Sequence, residues 1–233
     1  MTTRPASLEK NPRLSQWLRF LANGMVEVHS GKVEIGQGIL TTLRQIVAEE
    51  LDVPPERVAM VRAHTDESPN EGVTSGSLST QDSGTALRYA CAEARALCVA
   101  EAARTLGVAA DTLTVSGGVI LAPDGRRVSY GEVGDAALAG REATAGVAPK
   151  PSGERRIVGR SAERIDLPDK ILGRARYIHD LVLPGMLHGR VLRPPSAAAT
   201  LASLDDGAAR SMAGVVDVIR DGSFVGVIAE REE

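Results

Sequence analysis

Two short segments rich in glycine and hydroxyl side chains are the part of this sequence best suited to a polar ligand. The first loop, residues 31–38, reads Gly31-Lys32-Val33-Glu34-Ile35-Gly36-Gln37-Gly38. The second loop, residues 69–80, reads Pro69-Asn70-Glu71-Gly72-Val73-Thr74-Ser75-Gly76-Ser77-Leu78-Ser79-Thr80. Both offer backbone N–H groups, polar side chains and little bulk, and such loops wrap a phosphate-bearing cofactor better than they pack in a core.

The first loop follows an alternating strand pattern and precedes a helical pattern. Free N–H groups at the start of that helix favour an anion, and the Gln37 amide between two glycines can both donate and accept hydrogen bonds. The second loop carries five hydroxyls in the seven residues from Thr74 to Thr80, and Gly76 allows close approach to the backbone. The residues alone leave two interpretations open for each loop: a ligand cradle, or a plain turn and a solvated loop.

Other kinds of site find little support in the sequence. The four histidines have no metal-binding spacing, and the chain lacks hydrolase, P-loop and complete Rossmann motifs. Cys91 and Cys98 lie two helical turns apart, about 10 Å along the axis, which is too far for a disulfide. We expect both cysteines to be small buried side chains.

Composition predicts a soluble globular protein. The chain has 233 residues, of which 43% are hydrophobic and 24% charged, and its net charge of -3 argues against nucleic acid as the main partner. It contains no run of about 18 apolar residues that could span a membrane. Because the N-terminal residues contain no export signal, we expect a cytoplasmic protein, although export with a partner stays open.

Periodicity predicts the elements that position the two loops. Residues 16–30 read as a hairpin with a turn at Asn23-Gly24, and a helix capped by Thr41 or Thr42 follows the first loop. Residues 57–64 read as a strand, and after the second loop a long helix with Ser83 as N-cap runs to Leu106-Gly107.

Three short strands and a helix are predicted next, followed by a second group of strands. The predicted division of the chain is a loose N-terminus at residues 1–15, a cofactor-loop unit at 16–139, a linker at 140–156 and a second unit at 157–233. Because the last residues directly follow a strand, we expect an incomplete second unit with an exposed apolar edge near residues 224–229.

Longer stretches around the loops resemble a known family. The segments GKVEIGQGILTTLRQIVAEELDVPPERV and TDESPNEGVTSGSLSTQDSGTALRYACAEARAL resemble the molybdenum-cofactor-binding large subunit of the xanthine dehydrogenase/aldehyde oxidase family. The segment VGRSAERIDLPDKILGRARYIHDLVLPGMLHGRVLRPPS is similar to that family's α/β hammerhead domain. The GQG segment lies before the hammerhead-like segment, as in the nicotinate dehydrogenase and isoquinoline 1-oxidoreductase branch. The resemblance implies an α+β fold, with a cofactor-loop α/β unit followed by an incomplete α/β hammerhead-like domain.

The resemblance also implies which residues meet the cofactor. Carried over by motif, they are Ile35, Gly36, Gln37, Thr74, Ser75, Gly76, Ser77, Leu78 and Ser79. The implied cofactor is molybdopterin with its molybdenum, in the cytosine dinucleotide form, and the [2Fe-2S] centres are expected on a partner small subunit. The family's catalytic glutamate belongs to a GxGE-type segment that this sequence lacks, so no catalytic or metal-ligating residue is assigned.

The implied function is that of a fragment or subunit of a molybdenum hydroxylase. Such an enzyme oxidises N-heteroaromatic or aldehyde substrates with oxygen taken from water, and the isolated chain is expected to be inactive. The expected partners are the remainder of the large subunit, the iron–sulfur small subunit and a small-molecule substrate. The alternative is a non-catalytic assembly or cofactor-binding module of a split enzyme.

Overall fold

The computed structural model describes residues 4–174 and 177–233 and divides into two compact units, Met1–Pro168 and Asp169–Glu233. The helices are α1 Ala6–Lys10, α2 Ile39–Leu51, α3 Thr85–Leu106, α4 Tyr130–Leu138, α5 Leu167–Ile171 and α6 Gly207–Arg210. The strands are β1 Leu18–Phe20, β2 Val26–Val28, β3 Val58–Met60, β4 Thr114–Ser116, β5 Val119–Leu121, β6 Arg127–Ser129, β7 His188–Leu192, β8 Val215–Asp221 and β9 Phe224–Ala229. This mixture of helices with largely antiparallel sheets confirms the α+β class.

The sheet that leads into the first loop is built from β1, β2 and β3. Strands β1 and β2 form the predicted hairpin, and its turn is closed by a hydrogen bond from the Met25 N–H to Asn23 Oδ1 with Gly24 at φ 81°. Strand β3 pairs with β2 in parallel, because α2 carries the chain back between them. The first loop therefore leaves the central strand of this sheet and enters α2.

Helix α2 begins at Ile39, earlier than the sequence predicts. Gly38 is its N-cap with φ 82°, so the predicted capping by Thr41 or Thr42 is wrong. The helix ends as expected before Pro54, with Asp52 in the left-handed region at φ 54°. Its apolar face lies in the core, where Ile39 and Leu40 of the first turn are buried.

The second loop enters α3 through a wider helical turn. Residues Thr80–Gly84 form a π-helical turn, and Ser83 lies inside it instead of capping α3. Ser83 is fully buried, with its Oγ 2.8 Å from Ser30 Oγ. Helix α3 ends at the predicted glycine, because Gly107 adopts φ 67°.

The third part of unit 1 contains the three predicted short strands, which pair as the antiparallel sheet β4-β5-β6, and the predicted helix α4 follows them. Glu132 accepts hydrogen bonds from the N–H and hydroxyl of Ser129 and so caps α4. Tyr130 anchors this part to the core, since its hydroxyl donates to the Leu51 carbonyl (3.0 Å) and its ring lies 4.9 Å from that of Phe20.

The N-terminal residues are packed, not loose as predicted. Leu8 and Leu14 are fully buried, and the Trp17 indole donates to the Asn11 carbonyl at 2.8 Å. The Asn11 side chain in turn bonds the backbone of Asn70 in the second loop. These apolar residues are spaced too irregularly to indicate their burial in the sequence. Residues 1–3 of the predicted loose segment lie outside the described residues.

The predicted linker at residues 140–156 lies inside unit 1. Glu93 of α3 accepts hydrogen bonds from the N–H groups of Thr144 and Ala145, and Glu50 of α2 accepts from the N–H of Lys150. Both carboxylates are buried. A segment rich in proline and glycine is thus held by distant acidic side chains, which local composition does not indicate.

Unit 2 contains the three-stranded sheet β7-β9-β8. Strand β9 is the central strand, since it pairs antiparallel with β7 on one side and with β8 on the other. The expected exposed edge at residues 224–229 is therefore wrong: the edges are β7 and β8. In the described part of the chain, no helix is long and apolar enough to cross a bilayer.

Candidate cofactor-binding site

The carboxylate of Glu34 fills the N-terminus of α2. Its Oε1 accepts hydrogen bonds from the N–H groups of Gly36 (2.9 Å) and Gly38 (2.8 Å), and its Oε2 accepts from that of Leu40 (3.3 Å). The side chain is only 8% exposed. An internal anion therefore already uses three N–H groups at this turn, of which that of Leu40 belongs to the first turn of α2.

The Gln37 side chain folds back on the first loop. Its Oε1 accepts from the Ile35 N–H at 2.7 Å, and its Nε2 donates to the Val33 carbonyl at 2.9 Å. Residue Gln37 is exposed, and so is the Ile35 side chain at 68%. The loop thus exposes the apolar Ile35 side chain and the Gln37 amide on its surface. Gly36, at φ 107°, turns the backbone between these two residues.

The second loop keeps its hydroxyl groups on the surface. Ser75 and Ser77 are exposed, and within the described residues their hydroxyls make no hydrogen bond to protein. Gly76 and Ser77 both have positive φ, 66° and 58°, so the backbone turns tightly between them. Leu78 is 42% exposed beside them. This arrangement offers hydroxyl donors around a tight turn, which suits an oxyanion.

A buried lysine joins the two loops. The Lys32 ammonium donates to the carbonyls of Glu71 (3.0 Å) and Val73 (3.4 Å), and it lies 3.7 Å from an Asp82 carboxylate oxygen. Its side chain is only 3% exposed. One step further along, the Val33 N–H donates to Thr74 Oγ1 at 2.9 Å.

Glu71 fixes the same junction from the opposite direction. Its Oε2 accepts hydrogen bonds from the Gly31 N–H (2.8 Å) and the Ser30 hydroxyl (3.1 Å). A Cβ on Gly31 would overlap the Pro69 carbonyl oxygen, so the two loops pass in direct backbone contact. The structure thus brings the inner ends of the loops together, and both open toward the surface beyond Val33 and Thr74.

A third segment supports the first loop from outside it. Residues 156–166, the docked segment, run along α2 from its C-terminal to its N-terminal end. Glu49 accepts from the N–H groups of residues 156–158, the Gln45 amide donates to the Arg160 carbonyl, and Thr41 Oγ1 accepts from the Ile165 N–H. These three α2 residues are four apart, so they share one face of the helix.

Arg164 in the docked segment reaches the first loop itself. Its Nη2 donates to the Gly36 carbonyl at 2.9 Å and lies 3.9 Å from Glu34 Oε1. The same guanidinium makes two hydrogen bonds to the buried Asp166 carboxylate, at 2.9 and 2.7 Å. Sequence analysis missed Arg164 because it lies more than a hundred residues from the loop that it contacts.

Four residues that sequence analysis did not single out therefore hold the candidate site. They are Lys32, Glu34, Glu71 and Arg164. A signal existed for Glu34, since an acidic residue shortly before a helix start commonly caps its N–H groups. No comparable local pattern marks Lys32 or Glu71, whose partners lie about forty residues away.

The titratable side chains near the loops have structural roles. Burial, together with the positive charge of Arg19, lowers the pKa of His29, so its imidazole is neutral at pH 7. Burial raises the pKa of Cys98 to about 12, and it also raises the pKa of Cys91, so both thiols stay protonated as small core residues. Among the described residues, no group of three side chains could ligate a metal ion. The polar groups that the two loops expose are amides and hydroxyls.

Two family models match the chain. The family model for the molybdopterin cofactor-binding domain matches residues 2–155. The model for the aldehyde oxidase and xanthine dehydrogenase a/b hammerhead domain matches residues 172–226. The first match spans more than half of the chain and contains both loops.

Individual relatives give the same result. The chain is 39% identical to a subunit of the nicotinate dehydrogenase of Pseudomonas putida, over 96% of this chain and 20% of that protein. It is 32% identical to the beta subunit of the isoquinoline 1-oxidoreductase of Brevundimonas diminuta, over 87% of this chain and 31% of that protein. The chain thus spans a fifth to a third of the length of these relatives.

A solved structure, the reconstituted CO dehydrogenase of Oligotropha carboxidovorans, is 28% identical over 50% of this chain and 15% of its own, with a TM-score of 0.43. Along the chain, the match to the cofactor-binding domain comes before the match to the hammerhead domain. The chain belongs to the molybdopterin cofactor-binding family of the xanthine dehydrogenase and aldehyde oxidase group.

Proposed function

We propose that this chain contributes molybdopterin-binding loops to a molybdenum hydroxylase. The observation that carries the proposal is that the two loops are joined within a molybdopterin cofactor-binding domain. The exposed hydroxyls and the tight glycine turn of the second loop lie beside the first loop. The residues proposed to contact the cofactor are Ile35, Gly36, Gln37, Thr74, Ser75, Gly76, Ser77, Leu78 and Ser79.

The two loops have different parts in this proposal. Because Glu34 occupies the N–H groups of Gly36 and Gly38 just before α2, the pyrophosphate of the dinucleotide form of the cofactor is proposed to lie against the second loop. There the hydroxyls of Ser75 and Ser77 donate to its oxygens, and Gly76 lets it approach the backbone. The first loop covers the flat pterin with the Ile35 side chain and orients it with the Gln37 amide.

The proposed activity of the whole enzyme is hydroxylation of an N-heteroaromatic or aldehyde substrate. A C–H bond becomes C–OH with oxygen from water, and two electrons and two protons are released. The molybdenum cofactor supplies this redox chemistry, and the chain supplies binding and orientation. The relatives named for nicotinate and isoquinoline support the heteroaromatic class.

The proposed cofactor form and partners follow the same relatives. We propose the cytosine dinucleotide form of molybdopterin, [2Fe-2S] centres on a partner small subunit that accept the two electrons, and a further polypeptide region that completes the site. Both named relatives are themselves subunits of larger enzymes. The catalytic base is proposed to come from that further region, since this chain has no GxGE-type segment.

The proposal is tested by metal and nucleotide analysis of the assembled enzyme. We expect molybdenum in the purified enzyme and release of a cytosine nucleotide on acid treatment. Replacing Ser75 and Ser77 together by alanine should lower molybdenum content by about tenfold or more, because two hydrogen bonds to a charged group are lost. The thermal midpoint should stay unchanged, because these hydroxyls are exposed.

The matched control is Ser116→Ala, which removes an exposed hydroxyl in strand β4 and should leave the molybdenum content unchanged. An assembled enzyme without molybdenum would contradict the proposal and leave the assembly-module interpretation. Normal molybdenum content in the double serine variant would contradict the assignment of the second loop.

A further inference from the structure

We propose that Arg164 is a positioning residue that fixes the first loop in the conformation that meets the cofactor. It lies outside both regions matched by family models, which cover residues 2–155 and 172–226. The inference concerns how firmly the conformation of residues 34–40 is held, and its link to the cofactor rests on the proposed function.

The first loop needs an external support. Gly36 and Gly38 have φ 107° and 82°, a region that glycine enters freely, and glycine loses more backbone freedom on ordering than any other residue. Neither glycine has a side chain to pack. Hydrogen bonds must therefore hold this turn, and two sets of them do so.

The first set comes from within the loop. Glu34 ties together the N–H groups of Gly36, Gly38 and Leu40, and its side chain is 8% exposed. These bonds close the loop on itself and on the first turn of α2, but they do not reach a segment distant in sequence. They also concentrate a negative charge in a poorly solvated position, which favours a nearby cation.

Arg164 attaches the turn around Gly36 to the docked segment and supplies the cation. Its Nη2 donates to the Gly36 carbonyl at 2.9 Å. This carbonyl belongs to the peptide between Gly36 and Gln37, both of which are proposed to meet the cofactor. The same nitrogen is 3.9 Å from Glu34 Oε1, and the guanidinium carbon would lie 3.5 Å from a Cβ placed on Gly38. One planar group thus bonds the Gly36 carbonyl, pairs with the Glu34 carboxylate and lies beside Gly38.

The guanidinium is itself held rigidly. Asp166, whose side chain is 1% exposed, accepts two hydrogen bonds from Arg164 in a bidentate arrangement that fixes the orientation of the plane. The adjacent Ile165 N–H is bonded to Thr41 in the first turn of α2. The position of Arg164 is therefore set by the same helix whose N-terminus it supports.

The experiment compares Arg164→Ala, Arg164→Lys and the control Arg160→Ala by amide hydrogen exchange in the full chain. Arg160 lies in the same docked segment with an exposed side chain. In Arg164→Ala, the amides of Gly36, Gly38 and Leu40 should exchange about tenfold faster, because one charge-assisted hydrogen bond is lost. Arg164→Lys, which keeps the charge but lacks the planar fork, should show an intermediate rate.

The buried residues Ala90 and Ala94 of α3 are the internal reference, and their exchange should stay slow in all variants. Equal exchange of the loop amides in Arg164→Ala and Arg160→Ala would overturn the inference. If Arg164→Ala unfolds, the folded Arg164→Lys variant decides, since unchanged loop exchange there together with unchanged molybdenum content would overturn it as well.

Molybdenum content of the assembled enzyme separates this inference from the proposed function. Faster loop exchange with lower molybdenum content in Arg164→Ala supports both. Faster loop exchange with normal molybdenum content supports positioning of the loop and contradicts its assignment to the cofactor. A purely structural role would lower the thermal midpoint without a selective change at residues 34–40.

Discussion

Gly31 and Glu71 lie at the point where the two candidate loops approach each other most closely. Glu71 Oε2 accepts hydrogen bonds from the Gly31 N–H and the Ser30 hydroxyl, and Lys32 donates to the Glu71 carbonyl. Backbone contact of this kind leaves no room for a side chain at Gly31. At the scale of single residues, the position of the second loop is thus set by buried polar groups and not by its exposed hydroxyls.

Replacing Gly31 by alanine tests this packing. The new Cβ would overlap the Pro69 carbonyl oxygen and lie 3.0 Å from the Glu71 nitrogen, so backbone must move. We expect a loss of about 1–3 kcal/mol in the free energy of unfolding. Urea unfolding followed by the fluorescence of Trp17, the single tryptophan, measures this loss because Trp17 is fully buried in unit 1.

The control for this measurement is Gly153→Ala. Gly153 has no atom within 4 Å of an added Cβ and no positive φ, so alanine there should change stability by less than about 0.5 kcal/mol. Equal stability of the Gly31 and Gly153 variants would show that the loops can separate without cost.

At the scale of elements, α2 organises much of unit 1. Its N-terminus receives the Glu34 carboxylate, and one polar face holds the docked segment through Thr41, Gln45 and Glu49. Its apolar face packs in the core, with Leu43, Val47 and Leu51 among its buried residues. A helix that is apolar on one side and carries hydrogen-bonding side chains on another can hold segments that lack secondary structure.

Among the α2 side chains that hold the docked segment, Glu49 makes the most hydrogen bonds. Burial alone would raise its pKa, but hydrogen bonds from the N–H groups of Ile157, Val158 and Arg156 and the charge of Lys150 together lower it below its ordinary value of 4.5. A carboxyl with a lowered folded pKa stabilises the fold fully above the unfolded pKa and loses this contribution as the pH falls through the folded one.

The Glu49→Gln variant should therefore be less stable than the natural chain by about 2 kcal/mol at neutral pH, because charge-assisted hydrogen bonds become weaker neutral ones. The difference should shrink as the pH falls from 4.5 through the lower folded pKa, because Glu49 of the folded natural chain becomes protonated over that range. Urea unfolding at a series of pH values measures it.

Glu56→Gln provides the comparison, since Glu56 is exposed beyond the end of the same helix. That variant should differ little from the natural chain at any pH. A difference for Glu49→Gln that stayed constant with pH would show that hydrogen-bond geometry, and not the charge of Glu49, supplies the stabilisation.

At the scale of the whole molecule, the boundary between the units lies later than composition predicts. The chain divides at Pro168, whereas the predicted linker is residues 140–156 and the cofactor-binding match ends at residue 155. The residues between 156 and 168 belong to unit 1 because their backbone groups bond to α2 and because Ile157, Val158 and Ile165 pack against its core.

Two shortened chains test this boundary. A chain of residues 1–168 should retain the thermal midpoint of unit 1, followed by Trp17 fluorescence. A chain of residues 1–155 loses every partner that the docked segment offers to α2, which we expect to cost about 3 kcal/mol, or roughly 10 °C in the midpoint. Equal midpoints for the two chains would place the boundary before residue 156.

The predictable part of the fold is the part determined by neighbouring residues. Asn23-Gly24 specifies its hairpin turn, Gly107 ends α3, and the Ser129–Glu132 pair marks the start of α4. The start of α3 was not predictable, because the π-helical turn that precedes it depends on the packing of Ser83 against Ser30.

Local patterns along the chain were enough to specify the element types, the two candidate loops and, through their motifs, the molybdopterin-binding family. The folded chain was needed to reveal that Glu34 fills the start of α2, that Lys32 and Glu71 join the loops, and that residues 156–166 dock on α2. The difference arises from separation along the chain. Turn and periodicity signals act within a few residues, whereas contacts such as that between Arg164 and Gly36 depend on the path of the folded backbone.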